Sequence, residues 1–212
     1  MRKINFLSIS VLILLNNFIF INLQSEIKNK IVVKVGESLI TSIDIQNEIV
    51  TNLIIANQEV TAENINNNKN YAIKNLINKK IKRNEINKYE INNYSKKDLQ
   101  DYITKIAKNL NTDQNGLKEI FKKTNINYQI FVEKHETELL WNTLIFQLYR
   151  NQTNINVIDV ENEVAKIKVN KSEEELKKIR NDIENKRKEE KFNLFSRSHF
   201  SNLENTVVIN FQ

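Results

Sequence analysis

The chain lacks cysteine and proline, and holds only two glycines, Gly36 and Gly116, and one tryptophan, Trp141. Without cysteine there are no disulfides, no thiolate nucleophile and no Cys-ligated zinc or iron–sulfur site. Two glycines exclude phosphate-cradling loops and the dense turn chemistry of sandwiches, barrels and doubly wound sheets. One-sided charge is also scarce. The formal net charge is +6, and +4 once Arg2 and Lys3 are set aside with the leader segment. That is too little to argue for nucleic acid, and no basic face is interleaved with aromatic residues.

What remains is 212 residues, 40% of them hydrophobic, a length suited to one domain with a real core. The expected fold is mostly α: a multi-helix bundle with a small β-sheet formed by the N-terminal hairpin and the C-terminal strand. Asn makes up about one residue in six. With the excess of Ile and Lys, this is attributed to AT-rich coding, and single Asn or Lys residues are discounted as functional signals.

Residues 1–25 read as a signal peptide or signal anchor. Arg2 and Lys3 precede an apolar run from Ile4 to Leu23, which Asn5, Ser8, Ser10, Asn16, Asn17 and Asn22 interrupt. No A-x-A cleavage motif precedes Ser25, so membrane anchoring through an uncleaved leader stays open. Either form exports the remainder, and the expected compartment is the periplasm of a Gram-negative cell.

Residues 26–170 are expected to form the helical body, and 171–212 to complete the same domain. Ile31–Val35 reads as a strand with Ile31, Val33 and Val35 on one face. Gly36-Glu37 turns the chain into a short return strand over Ser38–Thr41. A helix follows, capped by Thr41 or Ser42, with Ile45, Ile49, Leu53 and Ala56 at helical spacing, and others run over about Asn70–Glu85, from Ser95, from Thr112, and over about Asn127–Gln152. Thr61–Asn70, polar and Asn-rich, is expected to be a loop. A short helix then covers Val157–Ile167, and Ser172-Glu173-Glu174-Glu175 opens a charged helix reaching about Arg197. The final β-branched segment, Thr206–Phe211, is expected to pair with Ile31–Val35, placing Val207, Ile209 and Phe211 beside Ile31, Val33 and Val35.

In this order the elements resemble the SurA N-terminal domain family of periplasmic chaperones. The family's hairpin-to-helix entry, V-N-x-x-x-I-T-x-x-D-I, is similar to the eleven residues Val35-Gly36-Glu37-Ser38-Leu39-Ile40-Thr41-Ser42-Ile43-Asp44-Ile45. Its L-x-x-L-I-x-x-K-L helix is similar to Ile73-Lys74-Asn75-Leu76-Ile77-Asn78-Lys79-Lys80-Ile81. Asp98–Phe121 looks like the next two helices, and Tyr128-Gln129-Ile130-Phe131 loosely matches the entry to the long one. Val157–Val164 is similar to the segment that normally introduces a parvulin isomerase domain, which has no counterpart here. Ile183–Phe192 and Leu203–Phe211 look like the family's closing helix and strand. The resemblance implies an ATP-independent chaperone for unfolded outer-membrane proteins, without prolyl-isomerase activity. It also implies the outer-membrane assembly machinery as a further partner. The alternative is an exported scaffold that binds one fixed partner through its helical body.

No enzyme chemistry is apparent in the residues. His135-Glu136-Thr137-Glu138-Leu139 lacks the second histidine of a zinc-protease motif, and Ser196, Ser198 and His199 are sequence neighbours rather than a triad. No metal site and no cofactor are expected. The widest apolar face lies on the long helix, where Phe131, Trp141, Ile145 and Tyr149 are the candidate peptide-binding residues.

Overall fold

The structure, a computed structural model, describes residues 29–167 and 171–212. The expected leader, residues 1–25, lies outside the described residues. Strands β1 (Ile31–Val35) and β2 (Ser38–Thr41) are followed by α1 (Ser42–Ile55), α2 (Ala62–Lys88), α3 (Lys96–Asn109) and α4 (Gln114–Lys123). Then come α5 (Tyr128–Tyr149), a single 3-10 turn (Arg150–Gln152), α6 (Val157–Ile167), α7 (Glu173–Thr206) and β3 (Ile209–Phe211). The molecule is mostly helical, and the hairpin and β3 form one antiparallel sheet in the order β2-β1-β3.

Each boundary has a local cause. Gly36 takes φ +55° at the hairpin turn, a conformation that costs glycine nothing. Thr41 and Ser172 close reciprocal capping boxes with Asp44 and Glu175. Among the described residues, four helices end on a left-handed residue: Asn57, Glu90, Asn111 and Asn125. At each, two bonds reach back over the last turn, as in Asn57 N–H to the Ile54 carbonyl and Gln58 N–H to that of Leu53. This is the glycine-type helix stop, built mostly from asparagine in a chain nearly without glycine.

Two expected boundaries are corrected. Thr61–Asn70 is not a loop: Thr61 caps α2, its side-chain oxygen accepting from Asn64 N–H, and Ala62–Asn70 forms the first turns of that helix. The cap and the packing of Ile65 against the core override the poor helix propensity of asparagine. Helix α7 runs on past Arg197 to Thr206, because half-buried Phe200 and Leu203 continue the apolar stripe of Phe192 and Phe195.

The sheet also departs from the expected face. Pairing shifts register between Ile31 and Val33, so Val32 is an extra residue in β1. Val33 and Val35 stay buried and Val32 packs against the core, while Ile31 is turned out and 47% exposed. β3 pairs with β1 through Val33↔Phe211, Lys34↔Asn210 and Val35↔Ile209. Ile209 and Val207 pack on the core, but Phe211 is 67% exposed.

Three apolar clusters hold the body together. The sheet packs on α1 and α2; a second cluster joins α1, α3, α4 and α5; a third joins α2, α5 and the C-terminal half of α7. A fourth is local to α6 and the first half of α7, with Val160, Val164 and Leu176 at its centre. Arg180 clasps Glu161 with two nitrogens, and Arg187 reaches Glu163 at 2.6 Å, so α6 and α7 form a helical arm with its own small core. Among the described residues no helix is long and apolar enough to cross a membrane.

Candidate functional site

Helix α5 is central, which decides the fate of the four candidate residues. Phe131 is 1% exposed, Trp141 2% and Ile145 0%. Their expected role as an open peptide-binding face is corrected: α5 is covered by α1, α3 and α4 on one side and by α2 and α7 on the other. Phe131 sits in an aromatic cluster with Tyr102, Phe121 and Tyr128. The Trp141 ring N–H donates to Ser196 Oγ at 2.8 Å, and Phe200 meets the ring edge-on. Tyr149 is half-buried and stacks on Phe195 at 4.9 Å. The width of the apolar stripe reflects the number of neighbours, not a surplus.

The two histidines have structural partners. His135 lies flat against Tyr102, ring centroids 3.6 Å apart. Burial lowers its pKa, against the opposing pull of Glu138 and Asp98. His199 bridges two helices, with Nδ1 2.8 Å from the Tyr149 hydroxyl and Nε2 3.2 Å from Glu85 Oε1. With the Trp141–Ser196 bond, this forms a polar seam that seats α7 on α2 and α5. Among the described residues no three His, Cys, Asp or Glu side chains gather as metal ligands would.

A polar cavity of about 320 Å³ opens between α1, α2 and α5. Buried Glu48 accepts there from Lys134 at 2.6 Å and from the Asn52 and Asn75 amides, and Lys134 also donates to Asn52. Lys82 pairs with Glu138 across the same space. Lys79 lines it, its pKa lowered by burial against the attraction of Glu133 and Glu48. These charges are largely spent on one another.

The feature suited to a ligand lies elsewhere. A groove of about 470 Å³ runs between β1, α1 and the start of α2. Buried Ile45 and Ile49 form its floor with half-buried Val32 and Ile65, and Ala62 lies exposed at its side. Ser42, Gln46, Asn66 and Lys69 supply polar groups along it. Two local events make it: the extra residue at Val32, and the extension of α2 back to Ala62. Neither is visible as periodicity, so residue patterns alone pass over the groove.

No protein-family model matches this chain, and comparison with curated proteins gives no match.

Proposed function

We propose that this chain is an ATP-independent holding chaperone of the periplasm, similar in kind to the SurA N-terminal domain, and not an enzyme. Its clients are unfolded outer-membrane proteins held in extended form. The observation that carries the reading is the apolar groove with its polar fringe. Val32, Ile45, Ile49 and Ile65 accept side chains without demanding a sequence, while Gln46, Asn66 and Lys69 offer partners to a peptide backbone.

Magnitudes fit transient holding. Covering about 200 Å² of apolar surface at about 25 cal/mol per Å² yields roughly 5 kcal/mol before ordering costs. That corresponds to a dissociation constant of ~0.2 mM at best. A single groove holds loosely, and firmer retention of a client requires further contacts.

The test is light scattering from a urea-unfolded outer-membrane β-barrel protein diluted without nucleotide, at low and at physiological salt. The wild-type chain is expected to suppress scattering at both, because the surface is apolar rather than ionic. Ala62→Trp, which fills the groove from an exposed position, is expected to weaken suppression while leaving the urea midpoint unchanged. No suppression by the wild type, or full suppression by Ala62→Trp, would overturn the proposal.

A further inference from the structure

The flanking hydrogen bonds fix which way the backbone of β3 faces. Gly36 N–H donates to the Val208 carbonyl at 2.9 Å, and Gln212 N–H to that of Val32 at 3.0 Å. With Lys34 opposite Asn210, residues 208, 210 and 212 turn their amide groups toward β1. Ile209 and Phe211 therefore point both N–H and C=O away from it. β3 has β1 as its one neighbour in the sheet, so among the described residues this edge has no strand beside it.

Proteins normally blunt such an edge with a lysine, a proline, a bulge or a covering element. β3 is kept short, at three residues, but carries no lysine, proline or bulge. Thr206-Val207-Val208-Ile209-Asn210-Phe211-Gln212 is uncharged and β-branched, and Val208 and Phe211 are both about two-thirds exposed. On its inner side, toward β1, the strand adjoins the groove: Gln212 is bonded to Val32, whose side chain lines it.

From this geometry we infer that β3 is a strand-addition site, and that an extended client segment docks there as a fourth strand, antiparallel or parallel to Ile209–Phe211. The inference rests on the holding function proposed above and names its mode of recognition. Two donor–acceptor pairs spaced two residues apart match another extended backbone, and the match is indifferent to client sequence. The exposed Phe211 ring adds an apolar contact on alternate client residues. A second copy of this chain is a poorer occupant. Three residues of paired edge fall far short of the roughly 1,200 Å² that a stable dimer buries.

The experiment is amide hydrogen exchange on the full chain, with and without a synthetic decapeptide alternating tyrosine and threonine. Alone, the Asn210 amide is expected to be protected and those of Ile209 and Phe211 to exchange freely. With peptide, the latter two are expected to slow by about tenfold or more. Phe211→Pro removes an outward N–H without touching the ladder to β1, and is expected to weaken peptide binding about tenfold. Phe211→Ala keeps the N–H and is expected to lose less. Unchanged exchange at Ile209 and Phe211 in a wild-type chain that still suppresses scattering overturns strand addition and leaves the groove reading standing. Failure to suppress scattering overturns both. Protection of both amides without peptide, together with a doubled mass in sedimentation, places a second copy on the edge and also overturns it.

Discussion

Lys134 Nζ lies 2.6 Å from Glu48 Oε1, joining α5 to α1 through a carboxylate that is 4% exposed. The pair forms where the polar side of α5 crosses the middle of α1, and the Asn52 and Asn75 amides complete its hydrogen bonding. Removing Lys134 leaves the buried Glu48 carboxylate without its ion-pair partner. Lys134→Met is therefore expected to cost about 3 kcal/mol, the low end for a broken buried pair because two amides still donate. Glu48→Met in the same chain should restore much of that loss. Urea melts of both single variants and the double variant measure it, and a double-variant loss equal to the sum of the two single losses would show that the pair is not coupled.

A second prediction concerns pH. Burial holds the His135 pKa below its ordinary 6.5, so the unfolded chain takes up this proton before the folded one. The contribution is constant at high pH and turns against the fold as pH drops through about 6.5, growing until the lowered folded value is reached. His135→Phe keeps a ring against Tyr102 but cannot titrate. The difference in melting midpoint between wild type and variant should be flat above neutrality and shift in the variant's favour on acidification. A difference independent of pH would refute this.

Glu90 is the one non-asparagine among the four left-handed helix stops. A glutamate there bears the Cβ strain without the local hydrogen bonding that helps asparagine. Glu90→Gly should stabilise the chain by about 0.5–1 kcal/mol, with Glu90→Asn in between. A shift in denaturation midpoint of the opposite sign would remove the strain argument.

The α6–α7 arm should open without the body. Val160 is buried in the arm's own cluster, so Val160→Asp places an unpaired carboxylate there. Hydrogen exchange is expected to speed up over Val157–Ile167 and the first half of α7, while amides of α2 and α5 keep their protection. Loss of protection throughout would mean that the arm and the body fold as one unit. Arg180→Glu, on the exposed Glu161 clasp, should leave the urea midpoint nearly unchanged.

Much of this architecture was legible in residue order. Caps at Thr41, Ser95, Asn127 and Ser172 and the apolar stripes between them place the helices, because both signals are local. Two misreadings share one cause. The Asn-rich start of α2 looks like a loop by propensity, and the face of α5 looks surplus by width, yet tertiary neighbours decide both. Asparagine, discounted as coding bias, turns out to stand in for missing glycine at Asn57, Asn111 and Asn125. The groove was not legible, since it depends on one extra residue at Val32 and on where α2 begins.

The order of the sheet has a consequence for how the chain is made. β1 is the middle strand, and every helix of the described residues separates it from β3. Synthesis in the N-to-C direction delivers the hairpin first, with half of β1's backbone lacking its partner. That pairing is of the highest sequence separation in the fold, and such contacts close slowly. Sheet closure thus has to wait until β3 has been made. Until then, the nascent chain carries an open strand edge of its own, the kind of edge on which newly made polypeptides associate.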